Sequence, residues 1–189
     1  PSKVQPARAR PATGAARTRL VVHAEARVGA LRPTSVQGRY ALELRAAAWR
    51  DGATSLWLAA HVGAGQAHVV RDAALRGDYT QWGGGVSAGV GQRLAAAWFA
   101  YLLAGVALER ATLSGTLLPD GSSIDRSRWQ AVVQLRPELE FALAPVGFLL
   151  QPTLYAAPRQ PRYLVDGVEV LGSRAVWWSL GGAVSVSLF

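Results

Sequence analysis

Hydrophobic and polar residues alternate along most of this chain with a period of two. The clearest stretch runs from Arg128 to Phe141, with the sequence RWQAVVQLRPELEF. Its even-numbered positions are mostly polar or charged, and its odd-numbered positions are apolar. This period predicts a β-strand with one polar and one apolar face. The stretch is much longer than the roughly five or six residues of a typical strand in a soluble domain.

The same alternation recurs in seven other stretches, so the sequence predicts eight strands. They lie at about 19–28, 39–48, 55–63, 82–90, 98–109, 148–155 and 178–188. The predicted connections alternate in length. Tight turns are expected at 50–54, 91–93 and 143–146, and longer polar loops at about 67–79, 111–127 and 157–173, with a short first loop at about 32–38.

Strands of this length are typical of proteins that cross a bilayer as a closed sheet. A tilted strand of about 9–11 residues spans the hydrocarbon core, and lipid does not tolerate an open sheet edge. Short turns at one end and long loops at the other are characteristic of such barrels. The sequence therefore predicts an all-β fold, an eight-stranded antiparallel up-and-down transmembrane β-barrel. Aromatic residues near the strand ends suit an interfacial belt: Tyr40, Trp49, Trp82, Trp98, Trp129, Tyr163, Trp177 and Trp178.

A soluble, lipocalin-like ligand-binding barrel is the main alternative fold, because it has the same period with the two faces reversed. Composition favours the membrane, since half of the residues are hydrophobic and Lys3 is the single Lys. The longest apolar run, Leu94 to Leu108, is shorter than the roughly 18–20 residues that a spanning helix needs. We therefore expect no transmembrane helix.

The net charge of +8 is concentrated at the start of the chain. Residues 1–17 are rich in Pro, Ala and Arg without apolar periodicity, which predicts a flexible basic tail before a barrel at 18–189. A basic tail on a nearly balanced body is not a nucleic-acid groove, and we expect no nucleic-acid partner. The chain begins with Pro1 and contains no Met, so we expect a mature form or a fragment. Its tail is a candidate tether to a periplasmic partner.

The strand layout of residues 18–189 resembles the small eight-stranded outer-membrane proteins of the OmpA/OmpX-like barrel family. The resemblance implies the outer membrane of a Gram-negative bacterium, contact with outer-membrane lipid and lipopolysaccharide, and recognition by the barrel-assembly machinery. That machinery reads an aromatic residue at the end of the chain, which here is Phe189. The outward apolar phase of Val184, Val186 and Leu188 is one residue away from Phe189, which departs from the usual ending.

Charged residues fall on the predicted lumen face. We expect them to form a salt-bridged network that mostly plugs a narrow barrel, because a charge left unpaired there is costly. The members are Glu25, Arg27, Glu43, Arg45, Glu109, Arg136, Glu138 and Glu140. A first turn centred near Ser35 would place Glu25 opposite Arg45 and Arg27 opposite Glu43, each pair contributing about 0.2–1 kcal/mol. The alternative use of this lumen is a narrow, porin-like solute channel.

The remaining candidates for chemistry are two histidines on the inward parity, His23 and His61. Some small outer-membrane barrels are lipid A-modifying enzymes, but a nucleophile needs a base within hydrogen-bond reach, and no Ser matches. We therefore expect lumen histidines, no catalytic residue and no enzyme. The run GGGVSAGVG at 83–91 has no helix after it, which indicates packing rather than phosphate binding.

The chain has no Cys, and its His, Asp and Glu spacing suggests no metal site, so we expect neither a metal nor a cofactor. The function that the sequence favours is an outer-membrane protein with a structural or binding role and a plugged polar lumen.

Overall fold

Among the residues that it describes, the computed structural model contains eleven β-strands. It describes residues 18–29, 36–71, 75–118, 120–159, 162–165, 168–172 and 174–188, so the predicted tail at 1–17 lies outside the described residues. The strands are β1 (Thr18–Val28), β2 (Val36–Asp51), β3 (Thr54–Gly65), β4 (His68–Arg71), β5 (Leu75–Arg93), β6 (Trp98–Leu117), β7 (Ser123–Leu143), β8 (Val146–Ala156), β9 (Arg162–Val165), β10 (Val168–Gly172) and β11 (Val176–Ser187). Within the described ranges, no helix is long and apolar enough to cross a membrane.

Eight of these strands close into a ring. Their order is β3-β2-β1-β11-β8-β7-β6-β5, and the pairing of β5 with β3 completes the circle. All neighbours in the ring are antiparallel. Strand β4 pairs with β5 beyond the end of β3, and β9 and β10 form a separate hairpin. The predicted eight-stranded antiparallel up-and-down barrel is confirmed.

The two faces of the wall are apolar outside and polar inside. On β7, Gln134 and Arg136 are buried, whereas Val133 and Leu135 are 47% and 43% exposed. Comparable exposed Leu, Val and Trp side chains recur on every strand of the ring. A continuous apolar surface of this kind is unfavourable in water and suits the hydrocarbon of a bilayer. These side chains do not match the reversed faces of a soluble lipocalin-like barrel.

Aromatic residues mark the edges of the lipid-facing surface. Trp82 and Trp129 lie on the outer wall towards the loops, with their rings edge to face and the centroids 5.3 Å apart. Trp98 is exposed near the opposite end of the ring. Trp177 was predicted for the belt, but it is buried inside the barrel and stacks on Tyr155. The side chain of Tyr163, also predicted for the belt, lies outside the described residues.

A β-bulge turns Trp49 outward. Ala47 lies opposite Trp57, and Trp49 lies opposite Leu56, so Ala48 is an extra residue in β2. A bulge of this kind shifts the phase of the strand by one residue. Counting by parity from the middle of β2 would place Trp49 inside, but the bulge places it among the exposed aromatic side chains.

Several predicted connections are wrong because the strands continue past the bilayer. The predicted turn at 91–93 belongs to β5, which ends at Arg93, and the turn follows at 94–97. The predicted loops at 67–79 and 111–127 are mostly strand. Outside the belt, the outward positions become polar, as at Thr80 and Ser114. The apolar alternation therefore disappears although the strands remain paired.

The extension of the wall has its own small core on the inner face. It consists of Val70, Leu75, Tyr79, Ala111 and Leu113. This cluster supports β4, β5 and β6 on the loop side of the barrel, where the outer face no longer contacts lipid.

We expect the substitution Ala104→Arg to lower the free energy of unfolding by about 2–4 kcal/mol, because Ala104 is exposed on the outer wall near the middle of the lipid-facing part of β6. Ser114→Arg, on the same strand but outside the belt, should cost only about 0–1 kcal/mol. Denaturant unfolding of both variants in lipid vesicles measures the difference. Equal costs would contradict the assigned position of the bilayer.

Candidate functional site

The pairing of β1 with β2 determines which lumen charges meet, and the predicted register is wrong. Glu25 lies opposite Arg39 rather than Arg45, and Arg27 does not lie opposite Glu43. The numbers of the paired residues sum to 64 rather than to about 70. Alternation fixes the face of each side chain, but it does not fix the register, because an even shift leaves every residue on its original face.

Four charged side chains form a closed ring of alternating sign near the turn end of the barrel, here called the turn-side ring. Its members are Glu43, Arg45, Arg136 and Glu138. Arg45 Nη2 lies 2.6 Å from Glu43 Oε1, and Arg45 Nη1 lies 2.7 Å from Glu138 Oε2. Arg136 completes the ring, with Nη2 2.5 Å from Glu43 Oε2 and Nε 2.8 Å from Glu138 Oε1. All four residues are buried.

A second ring of the same kind lies towards the loops and is called the loop-side ring. Its members are Glu25, Arg27, Arg39 and Glu109. Arg27 contacts both carboxylates, with Nη2 2.8 Å from Glu109 Oε1 and Nε 3.1 Å from Glu25 Oε1. Arg39 contacts the same two acids at 3.3 and 3.4 Å.

Neutral donors complete the hydrogen bonding of the loop-side carboxylates. Tyr155 and Ser179 donate their hydroxyls to Glu25 Oε2 at 2.7 and 2.8 Å. The side-chain amides of Gln81 and Gln130 donate to Glu109 Oε2. Such donors reduce the cost of burying a carboxylate, because they replace the water that it has lost.

Glu140 and Arg19 form a separate pair at the turn end. Arg19 Nη1 lies 2.5 Å from Glu140 Oε2. Tyr101 donates its hydroxyl to Glu140 Oε2 at 2.6 Å, and Ser185 donates to Oε1 at 2.8 Å. The pair and the two rings contain five arginines and five glutamates, so their formal charges cancel.

The structure brings all eight sequence-predicted charges into these groups and adds residues that the prediction omitted. Arg19 and Arg39 were the missing cations, and both already lie on the inward parity of their strands. Extending the parity rule to every charged residue would have found them. The contribution of Tyr101 and Tyr155 had no signal in the sequence, because a phenol on the inward face looks like ordinary packing.

The two histidines lie inside the barrel beside the turn-side ring. His23 Nδ1 is 2.7 Å from Gln151 Oε1, and its Nε2 is 3.8 Å from Glu43 Oε2. His61 is buried, and among the described residues neither of its ring nitrogens has a hydrogen-bond partner. Neither histidine lies on the lipid-facing surface. The part of the chain that the structure describes contains no cluster of acidic and His side chains suited to a metal ion.

The glycine-rich run at 83–91 is part of β5 and lies in the wall. A Cβ on Gly91 would lie only 2.7 Å from the ring of Tyr101 and 2.8 Å from Trp57 Nε1. Gly91 therefore makes room for two large lumen side chains, whereas a Cβ on Gly83, Gly85 or Gly89 would meet the backbone of β6. Tyr101 and Trp57 belong to the neighbouring strands β6 and β3.

Comparison with known proteins relates the architecture to solved membrane proteins. No family model matches the chain, and no curated protein matches it in sequence. A major outer membrane protein from Thermus thermophilus superposes with a TM-score of 0.57 at 12% identity, covering 92% of this chain and 100% of that chain. Neisserial surface protein A superposes with a TM-score of 0.52 at 14% identity, covering 92% and 97%.

The fold of this chain is that of a small outer-membrane β-barrel. The resemblance seen in the sequence is confirmed at the level of the fold, and the predicted location in an outer membrane agrees with the apolar outer surface. Phe189, the predicted assembly signal, lies outside the described residues. The chain before it follows the wall, because the Leu188 amide donates to the Thr18 carbonyl oxygen at 2.9 Å.

Removing one charge from the turn-side ring should strongly destabilise the barrel. We expect Glu43→Gln to lower the free energy of unfolding by about 3–5 kcal/mol, because it leaves Arg45 and Arg136 with one carboxylate between them. Denaturant unfolding in lipid vesicles measures this cost.

A second substitution provides the control. Arg136→Met in the Glu43→Gln background restores neutrality, so the double variant should lose less than the sum of the two single variants. Asp125→Asn, on an exposed part of β7, should change stability by less than about 0.5 kcal/mol. Additive costs for the two ring substitutions would show that the ring is not an energetic unit.

Proposed function

We propose that this protein is a non-conducting outer-membrane barrel with a structural or binding role, whose lumen is plugged by its charged side chains. The observation that carries the proposal is the direction of the ion pairs. Arg45 on β2 reaches Glu138 on β7, and Arg27 on β1 reaches Glu109 on β6. In the order of the ring, each of these pairs joins strands four places apart, which are on opposite sides of the barrel.

Pairs that span the diameter support a plug rather than a pore. An eight-stranded barrel encloses just enough space for its own side chains. Conducting barrels of the porin type have many more strands and leave an aqueous channel. In this chain, the charges pair with one another within each of two rings, and the rings lie at different depths. A passing ion would have to displace one member of a buried pair.

A non-enzymatic role is part of the proposal. An enzyme acting on lipid needs its catalytic groups at the lipid-facing surface or at an opening to it. His23 and His61 are buried in the lumen, and His23 is bonded to Gln151. These positions favour a role in packing.

The partners that we propose follow from the surfaces. The outward apolar wall and its Trp residues suit outer-membrane lipid, and exposed arginines beyond the belt, such as Arg76 and Arg126, offer charge complementarity to lipopolysaccharide phosphates. We further propose the barrel-assembly machinery as a partner during biogenesis and a periplasmic partner for the basic tail. No nucleic-acid role is proposed, because the buried arginines are already paired with carboxylates.

Planar-bilayer recording tests the plug. We expect the native protein to produce no discrete conductance steps. The quadruple variant Arg45→Ala/Glu138→Ala/Arg27→Ala/Glu109→Ala removes one pair across the diameter from each ring and keeps the lumen neutral, so steps should appear as water fills the vacated volume.

Arg110→Ala is the matched control. Arg110 bonds Ser127 on the exposed outer part of the wall, so its removal should leave the bilayer silent. Regular, ion-selective steps from the native protein would contradict the plug and would support the narrow solute channel instead.

A further inference from the structure

A cavity of about 210 Å³ lies at the turn end of the barrel, where the short turns meet the lumen. Three arginines line it, Arg19, Arg50 and Arg93, from β1, β2 and β5. The aromatic side chains Trp57, Phe99 and Tyr101 form the rest of its larger walls. Short turns face the periplasm in barrels of this kind, so this cavity belongs to the periplasmic side.

The lining of the cavity is positively charged. No carboxylate is among its lining residues. Arg19 is neutralised by Glu140, which also accepts the hydroxyls of Tyr101 and Ser185. Arg50 and Arg93 add two further guanidinium groups to the lining.

The three guanidinium groups are held in place by different contacts. Arg19 lies over the Trp57 ring at 5.2 Å, and Arg50 lies over the same ring at 5.4 Å. Arg93 donates from Nε and Nη2 to the carbonyl oxygens of Ala95 and Ala96 at 3.2 and 3.3 Å. Guanidinium groups fixed in this way lose little conformational entropy when they bind a ligand.

Arg19 also has a buried donor without a partner beside the cavity. Its side chain is 7% exposed, and among the described residues its Nε has no hydrogen-bond partner. A buried donor of a charged group that lacks a partner is costly, so a shift of the Arg19 side chain towards a ligand oxygen in the cavity would relieve that cost. The hydroxyls in the cavity are already used, since Thr54 donates to Gln92 and Ser55 bonds both Gly91 and Trp57.

We propose that this cavity binds an oxyanion of the phosphate class. Arginine recognises phosphate through paired, charge-assisted hydrogen bonds. The volume exceeds that of a few water molecules, at about 30 Å³ each, so the phosphate and a small organic group attached to it both fit. The attached group would contact Trp57 and Phe99. The site goes beyond the proposed function, and it does not depend on whether the lumen conducts.

Calorimetric titration with inorganic phosphate tests the site, with the intact protein in a maltoside detergent that contains no phosphate. The native protein should bind. Arg93→Gln and Arg50→Gln should each weaken the affinity about tenfold or more, because each removes charge-assisted hydrogen bonds. Arg93→Lys should recover part of the loss, because it restores the charge without the planar fork.

Arg76→Gln is the control. Arg76 is exposed at the opposite end of β5, so this variant should bind phosphate with the affinity of the native protein. The gel mobility of unheated and boiled samples checks that each variant still forms a barrel. If the native protein binds no phosphate, or if folded Arg93→Gln and Arg50→Gln both bind it with native affinity, the proposal is wrong.

A second arm distinguishes the two sources of phosphate. In nanodiscs, phosphatidylglycerol would occupy the site if the natural ligand is a lipid headgroup, and the apparent affinity for inorganic phosphate would fall about tenfold relative to detergent. An unchanged affinity would identify a soluble phosphate ester as the ligand class. Either result presupposes the binding measured in detergent, and its absence there overturns the proposal.

Discussion

Mutual neutralisation of arginine and glutamate inside the barrel is the interaction on which the rest of this structure depends. Burial gives an isolated charge a desolvation penalty of several kcal/mol. The alternating rings meet that constraint, since each carboxylate contacts two guanidinium groups and each guanidinium contacts two carboxylates. The pairs also tie opposite walls together across a cross-section that the number and stagger of the strands set.

The outer wall is constrained by the lipid that surrounds it. Backbone groups in lipid must be satisfied within the protein, and the pairing of β3 with β5 removes the last free edge. The side chains outside are then selected only for their affinity for hydrocarbon. Small residues also occupy the lipid-facing surface, as Ala104 and Gly182 show.

The sequence predicts the fold and the two faces well, because both follow from a period of two that persists over every strand. It fails where one face stops being distinctive. On the loop side of Trp82 the outer face becomes polar, so the alternation predicts loops where the strands in fact continue. Periodicity does not determine the register between strands either. The sequence therefore predicts Glu25 opposite Arg45, whereas the structure pairs Glu25 with Arg39. The bulge at Ala48 depends on local pairing that no parity rule contains.

Site-directed spin labelling tests the central claim, that polar side chains point inward and apolar ones outward, most directly. The chain has no Cys, so single Cys residues can be introduced one at a time into β7. Labels replacing Val133 and Leu135 should collide frequently with oxygen, which concentrates in hydrocarbon. Labels replacing Val132 and Gln134 should be shielded from both oxygen and a water-soluble relaxation agent. High oxygen accessibility at Val132 and Gln134, with low accessibility at Val133 and Leu135, would contradict the account.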